Sequence, residues 1–195
     1  MMDELEKLKA EVQVCRRCAL GYERTNAVFG MGNPLAKIFI IGEGPGYDED
    51  IQGLPFVGRA GQLLDKILAA CGFNRNEHVY IGNIVKCRPP GNRVPNPMER
   101  ASCLPHLLKQ IELIDPMIII LLGSTALQAL IDPEARITHQ RGQWIPWNNR
   151  LVMATYHPAA LLRNPNLKRD TWEDFKKVVQ KYRELVNPGH YSAHC

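Results

Sequence analysis

The sequence predicts an α/β layer fold built on parallel strands. Two observations indicate it: four short apolar runs rich in β-branched residues, and segments between them in which apolar residues recur at helical spacing. The runs span residues 37–42, 79–85, 117–123 and 151–157. Uninterrupted apolar runs of this length are typical of strands that are buried on both faces of a parallel sheet.

Helical spacing is found at residues 61–71, 98–114, 124–131 and 171–185. Ser124 or Thr125 is a candidate cap for the third of these helices. Strands that alternate with helices are joined by right-handed crossovers, which bring the carboxyl ends of the strands to one edge of the sheet, where ligands bind. The residues at or just after these ends are Glu43, Asn83, Gly123 and His157.

Length and composition limit the class of protein. A chain of 195 residues, 45% of them hydrophobic, can bury one full core, so we expect a single domain over residues 1–195 with a frayed tail at 187–195. No apolar run is long enough to span a membrane, and the charged amino terminus does not resemble a signal peptide. We therefore expect a cytoplasmic protein without a membrane partner. The net charge of +4 suits nucleic acid and small anions equally well.

The loop Gly42-Glu-Gly-Pro-Gly46 is a candidate ligand site. Glycines around a proline give a rigid turn that lets the backbone approach a ligand closely, although a purely structural turn fits the pattern as well. Phe56, in the next glycine-bounded loop, is either a core residue or a face on which a flat base stacks. Four carboxylates could bind a divalent metal or position a water molecule, or they form solvated loop surface: Glu43, Asp48, Glu49 and Asp50.

Two polar residues occupy the ends of buried strands. Asn83 must satisfy both an amide donor and an acceptor, so it either ties down a loop, which the sequence alone favours, or reads a ligand with the complementary pair. His157, which precedes Pro158, directs an imidazole toward the predicted crevice, where a structural and a catalytic role are both open.

Six cysteines without an export signal indicate metal ligands or buried thiols rather than disulfides. Cys15 and Cys18 form a C-x2-C pair, and Cys87 and Cys103 flank a proline-rich loop. Four thiolates can hold zinc or an iron-sulfur cluster, and the unequal spacing of the two pairs favours iron-sulfur. Cys71 and Cys195 are expected not to be ligands.

The proline-rich loop carries several cations, among them Arg88 and Arg93. A stiff basic loop suits phosphate contacts, and a solvated linker is the alternative.

Taken in order, these motifs resemble the family 4 uracil-DNA glycosylases over about residues 15–175. They are Gly42-Glu-Gly-Pro-Gly46, Gly53-x-Pro-Phe56-Val-Gly58, the segment 83–93 and His157-Pro-Ala-Ala-Leu-Leu-Arg163. The resemblance implies a three-layer α/β/α architecture with a central four-stranded parallel sheet. It also implies a monomer that removes uracil from single- and double-stranded DNA and carries a structural [4Fe-4S] cluster on Cys15, Cys18, Cys87 and Cys103.

The same resemblance assigns roles to residues. Phe56 stacks on the flipped-out uracil, Asn83 reads its polar edge and His157 bonds the ring oxygen O2. Glu49 occupies the space that a thymine methyl group needs. The resemblance also implies backbone contacts with uracil at Gly42 and Gly44, and a wedge formed by Leu161, Leu162 and Arg163. Where better-known uracil glycosylases carry an aspartate, this chain has Gly44, so we take Glu43 as the candidate that activates water. Arg88 and Arg93 of the basic loop are the candidate DNA contacts.

Two other classes of function compete with this one. A hydrolase of a free nucleotide or another small anion would use Glu43, Asp48 and Asp50 around a metal ion. A non-catalytic nucleic-acid module would keep the cluster and the basic loop, but it would not need Asn83 and His157 at strand ends.

Overall fold

The structure, a computed structural model, describes residues 2–195, which contain one six-stranded sheet. The strands are β1 (Met31–Gly32), β2 (Ile38–Gly42), β3 (Val79–Asn83), β4 (Ile118–Leu122), β5 (Trp144–Trp147) and β6 (Arg150–Thr155). Their order across the sheet is β1-β3-β2-β4-β6-β5, and the four inner strands are parallel. The predicted α/β class, with its four parallel strands, is confirmed.

The four-stranded prediction omits two antiparallel edge strands. β1 has only two residues, too few to show a pattern. β5 contains Pro146, which a strand tolerates at the edge of a sheet because no neighbour needs its amide. A tight turn joins β5 to β6 through Asn148 and Asn149, whose φ angles of 45° and 61° are those of a two-residue hairpin turn.

Residues 2–195 contain a short 3-10 helix at Pro90–Asn92 and nine α-helices that surround the sheet. They are α1 (Met2–Val14), α2 (Leu20–Glu23), α3 (Tyr47–Gln52), α4 (Arg59–Ala70), α5 (Pro97–Ile114), α6 (Ser124–Leu130), α7 (Ile137–Gln140), α8 (Pro158–Arg163) and α9 (Leu167–Leu185). α5 begins with a capping box: Asn96 Oδ1 accepts from the Glu99 amide, and Glu99 Oε2 accepts from the Asn96 amide, both at 2.8 Å. α9 begins four residues before the predicted start at Thr171.

The start of α6 differs from the prediction. Gly123 is its N-terminal cap residue, with a φ of 92°, and no side chain caps the helix. Neither Ser124 nor Thr125 has the predicted capping role, because both already lie inside the first turn.

The core lies on both faces of the sheet. Phe39 and Ile41 of β2 pack on the side of α1 and α5, whereas Ile38 and Ile40 pack on the side of α4 and α9. Every residue of β2, β3 and β4 is buried. Full burial of such a side chain contributes about 1.5–3 kcal/mol, so the two apolar layers hold the three-layer arrangement together.

The segment 187–195, predicted to be a frayed tail, is held against the body of the protein at His190 and Ser192, which are buried. His190 stacks on Phe73 with the ring centroids 4.6 Å apart, and its Nε2 lies 2.9 Å from the Cys71 carbonyl oxygen. Ser192 Oγ donates to the Ala70 carbonyl at 2.9 Å. The tail lacks the apolar periodicity of a helix or strand, and its contacts are made by polar side chains, so the sequence pattern does not reveal them.

The register of the parallel strands brings Gly42, Asn83 and Thr155 to one edge of the sheet, beside the end of β4. Within residues 2–195 no helix combines the length and the apolarity that crossing a membrane requires.

Candidate functional site

A cleft of about 560 Å³ opens at the carboxyl ends of the parallel strands. Apart from the cysteines, eight of the twelve predicted site residues line it, namely Glu43, Gly44, Glu49, Phe56, Asn83, Arg93, His157 and Arg163. The cleft therefore collects residues from four separate parts of the chain, as the strand-end rule predicts.

Gly42 supports the cleft from below and does not line it. A Cβ atom at this position would lie 2.5 Å from Phe56 Cζ and 2.6 Å from Asn83 Oδ1. Any side chain here would displace the two groups that face the cleft. At Gly44, a Cβ would lie 2.7 Å from a methyl group of Val85.

Phe56 sits in a backbone conformation that non-glycine residues rarely adopt, with a φ of 52°. Its ring is largely buried and stacks on the His157 imidazole, with a centroid separation of 5.6 Å and an interplanar angle of 28°. The loop has almost no freedom around it, because a Cβ on Gly61 would lie 1.9 Å from the Phe56 carbonyl oxygen.

Arg75 holds the Phe56 loop from outside the cleft. Its Nη1 donates to the Phe56 carbonyl at 2.7 Å, and its Nη2 donates to the Pro55 carbonyl. Asp65 on α4 fixes the guanidinium, with an Oδ1 to Nη1 distance of 3.1 Å. Arg75 belongs to none of the sequence motifs, so only the folded structure reveals this role.

Asn83 is 2% exposed, and its Oδ1 has no hydrogen-bond partner among residues 2–195. The structural tie that the sequence favours is therefore not made by this oxygen. Buried polar atoms are nearly always paired in native structures, so an unpaired acceptor on a cleft wall indicates a ligand with a donor group. Lys86, itself buried, fixes the backbone here because its Nζ donates to the Asn83 carbonyl at 2.9 Å.

His157 is the cap residue of α8, and its Nδ1 accepts from the Ala159 amide at 3.1 Å. Burial lowers the pKa of His157 to about 4, and the positive charge of Arg163 acts in the same direction. The ring is therefore neutral at physiological pH. Because Nδ1 is the acceptor, the proton is on Nε2, which makes the imidazole a hydrogen-bond donor.

Two carboxylates of the cleft are held in different ways. Thr125 Oγ1 donates to Glu43 Oε2 at 2.5 Å, which leaves the second oxygen of Glu43 for another partner. Glu49 accepts from the amides of Val57 and Gly58, both at 2.9 Å, and from a third amide at 3.2 Å. Glu49 thereby joins the glycine loop to the Phe56 loop.

The acidic cluster does not form a site for a single metal ion. Asp50 is buried away from the cleft, where its carboxylate accepts from the amides of Thr25 and Asn26 at 3.0 and 3.1 Å. In the described part of the chain, no three His, Cys, Asp or Glu side chains are grouped to hold one metal ion. The structure thus gives no support to the hydrolase alternative built on Glu43, Asp48 and Asp50.

The two leucines of the predicted wedge differ in exposure. Leu161 is 1% exposed, so its side chain is anchored in the interior and does not reach a ligand surface. Leu162 is 40% exposed and remains a candidate. Adjacent residues of a helix point about 100° apart, which explains why one leucine of the pair is buried and the other is not.

The two predicted basic residues of the proline-rich loop differ in position. Arg93 lines the cleft and forms a bidentate ion pair with Glu99, with distances of 2.7 and 2.9 Å. Arg88 donates to Asn92 Oδ1 at 2.6 Å, and its guanidinium carbon lies 5.1 Å from the centre of the Tyr47 ring.

The four predicted ligand cysteines line a second, small cavity. Cys15 and Cys18 lie between α1 and α2, while Cys87 follows β3 and Cys103 lies on α5. Arg24 Nη1 donates to Cys87 Sγ at 2.9 Å, and the Lys86 amide donates to Cys103 Sγ at 3.3 Å.

This arrangement fits an iron-sulfur cluster. In such a cluster each thiolate binds a different iron, so the four sulfurs need not converge on one ion. Burial raises the pKa of Cys103 to about 11, and a bound metal would be required to keep this thiol ionised at neutral pH. The donors from Arg24 and from the Lys86 amide supply the outer-shell hydrogen bonds that thiolate ligands receive.

A sequence profile of the uracil DNA glycosylase superfamily matches residues 29–180 of the chain. The type-4 uracil-DNA glycosylase of Sulfurisphaera tokodaii is 44% identical over 200 residues, which cover 98% of this chain and 89% of that protein. The type-4 uracil-DNA glycosylase of Thermotoga maritima is 48% identical, with 90% of this chain and 94% of that protein covered. That of Archaeoglobus fulgidus is 44% identical, with coverage of 91% and 92%.

We expect the His157 ring to stay neutral, with its proton on Nε2, between about pH 5 and pH 8. Its folded-state pKa of about 4 lies below the ordinary value of 6.5, so the unfolded chain takes up a proton first as the pH falls. The contribution of this residue to stability therefore decreases as the pH falls from 6.5 toward 4. Nitrogen-15 NMR of the imidazole measures both the tautomer and the pKa.

The variant Arg163→Gln separates the effect of burial on the His157 pKa from the effect of the Arg163 charge. Arg163→Gln should raise the pKa of His157 without bringing it to 6.5, because burial is the larger cause. A doubly protonated His157 ring at pH 6 in the unmodified protein would contradict the assignment of a neutral donor.

Proposed function

Because this chain belongs to the type-4 uracil-DNA glycosylases of the uracil DNA glycosylase superfamily, we propose that its strand-end cleft binds uracil flipped out of DNA and that the enzyme hydrolyses the N-glycosidic bond. Excision leaves an abasic site for further repair. The observation that carries the assignment of the cleft is the unpaired, buried Oδ1 of Asn83.

Asn83 suits the edge of uracil. Its Oδ1 accepts from the N3–H of the base, and its amide donates to O4. Cytosine presents an acceptor at N3 and a donor at N4, so both contacts would be mismatched and the buried amide would be left unpaired. The Phe56 ring supplies the face on which the base stacks, and such stacking contributes about 1–3 kcal/mol toward the energy of base flipping.

Glu49 excludes thymine in this proposal. Uracil and thymine differ by one methyl group, so discrimination requires that the space beside C5 be filled. The three amides that hold the Glu49 carboxylate keep it from moving aside, which makes the exclusion rigid.

His157 stabilises the leaving group. As the glycosidic bond breaks, negative charge builds up on the uracil while the sugar becomes cationic. A neutral imidazole that donates from Nε2 to O2 stabilises this charge in the transition state. The contact with the Ala159 amide fixes the tautomer, so no proton has to be rearranged during the reaction.

Glu43 is the proposed acceptor of a proton from the attacking water. Thr125 orients one carboxylate oxygen, and the second is directed to the water. Glu43 precedes Gly44 in the glycine loop, and the contact with Thr125 supplies the orientation that a general base requires.

Cys15, Cys18, Cys87 and Cys103 are the proposed ligands of a [4Fe-4S] cluster, which when bound cross-links three segments of the chain and takes no part in the hydrolysis. The cluster would join the turn after α1 to the loop that follows β3 and to α5, and so support the loop that carries Arg88 and Arg93.

The DNA surface is proposed to surround the mouth of the cleft. Arg88, Arg93 and Arg163 contact phosphates, and Leu162 enters the gap that the flipped base leaves in a duplex. We further propose that the enzyme works as a monomer, on single- and double-stranded DNA, in the cytoplasm.

Asn83→Ala tests the assignment of the cleft. Removal of the amide should lower kcat/KM for uracil release by about 10- to 100-fold, because the lost contacts are worth about 1–3 kcal/mol. Release is measured on oligonucleotides that contain a single uracil. Asn166→Ala is the matched control, since Asn166 is exposed and its side chain does not cap α9. Equal activity of the two variants would contradict the assignment.

Arg75→Lys tests whether Arg75 positions Phe56. Lysine cannot hold two carbonyl groups and Asp65 at once, so the stacking face should loosen and KM should rise about tenfold, with a smaller change in kcat. Arg150→Lys is the matched control, because Arg150 likewise holds a carbonyl group and a carboxylate, but at the opposite edge of the sheet. A purely structural Arg75 would lower stability in both variants and leave KM unchanged.

Cys87→Ser tests the ligand set. Protein purified without oxygen should be brown and contain four irons and four sulfides per chain, whereas Cys87→Ser should lose most of its iron. Cys71→Ser should keep its iron, because Cys71 lies outside the cavity. A colourless zinc protein would exclude the cluster and leave the assignment of the uracil cleft unaffected.

A further inference from the structure

The two cysteines that are not cluster ligands lie on the same side of the molecule. Cys71 ends α4 and is fully buried, and Cys195 packs against the apolar cluster that contains Cys71. Both are free thiols. Neither residue lines the cleft or the cavity of the other four cysteines.

Several contacts hold the tail against the end of α4. His190 Nε2 lies 2.9 Å from the Cys71 carbonyl oxygen, and Ser192 Oγ donates to the Ala70 carbonyl at 2.9 Å. Arg183 of α9 donates to the carbonyl oxygens of His190 and Cys195 at 2.9 and 3.1 Å. These bonds fix the backbone on both sides of the thiol pair.

The tail backbone also approaches α4 closely. Gly72 has a φ of 75°, and a Cβ there would lie 2.0 Å from the Tyr191 carbonyl oxygen. Only glycine at position 72 allows this approach, which brings the two chain segments together next to the two thiols.

The two thiols are neighbours on this side of the protein, because Cys195 packs against the apolar cluster that contains Cys71. Burial raises the pKa of Cys71 well above its ordinary value, and the nearby Cys195 acts in the same direction. Cys71 is therefore a poor nucleophile for reagents in solution, whereas Cys195 is partly exposed.

We propose that Cys71 and Cys195 are a site of disulfide formation that covalently joins the tail to α4. A low-molecular-weight disulfide such as oxidised glutathione is the oxidant. The Cys195 thiolate attacks one of its sulfurs and releases one glutathione, which leaves a mixed disulfide on Cys195.

Cys71 then gives up its proton and displaces the second glutathione. In total, two cysteine thiols and one glutathione disulfide become one protein disulfide and two glutathione thiols, so electrons and protons balance. The bond closes a loop that runs from Cys71 to Cys195 and contains every helix and strand from β3 to α9. It constrains the unfolded chain and leaves the folded cleft unchanged.

The test treats the 195-residue protein with oxidised glutathione, blocks the remaining thiols and digests the chain with trypsin without a reductant. The expected product is the peptide 67–75 joined to the peptide 184–195, with a mass two hydrogens below their sum. The oxidised protein should also melt about 5 to 15 °C higher than the reduced protein.

Cys195→Ser is the matched variant. Under reducing conditions it should melt like the unmodified protein, and after oxidation it should show neither the joined peptide nor the rise in Tm. Any damage that oxidation causes to the cluster affects both proteins and therefore cancels in the comparison. A glutathione that stays attached to Cys195, or a Cys195 that pairs with another cysteine, would overturn the proposal. The test does not depend on the proposed function of the cleft.

Discussion

Burial of the parallel sheet on both faces is the constraint on which the rest of this structure depends. β2, β3 and β4 have no exposed residue, so polar groups are admitted only where the strands end. Asn83 is the last residue of β3, and His157 follows β6 by two residues. The same burial that stabilises the fold therefore places polar side chains at one edge of the sheet. Asn83 is only 2% exposed there, and a hydrogen bond made by such a shielded group is stronger than one made in water.

Three groups of the cleft are each held by a partner within the protein. Arg75 holds the Phe56 backbone and Thr125 holds Glu43, both across long distances in sequence, whereas the His157 ring is held by the amide of Ala159, two residues away. Groups that are oriented before the ligand arrives need not be ordered when it binds, so more of the interaction energy is available for the reaction. The side-chain oxygen of Asn83 is the exception, since within residues 2–195 it has no partner of its own.

Much of the fold and most of the cleft follow from the sequence, because buried strands and strand-end residues leave a local pattern. The four inner strands and the residues Phe56, Asn83 and His157 are of this kind. Features that depend on contacts between distant segments leave no such pattern. Arg75 and the packed tail belong to this second group, and so does the burial of Leu161, which depends on how α8 rests on α4 and α9. β5 has no recognisable strand pattern either, because it has only four residues and one of them is Pro146.

The unequal pair Leu161 and Leu162 has a mechanical consequence. In the proposed complex, the base pairs on either side of the gap would press on Leu162. α8 has only six residues, and the neighbouring Leu161 is buried in the interior, so this load would pass into the packed body of the protein. The force that keeps the gap open would then be limited by the stability of the core beneath α8, and not by the exposed leucine.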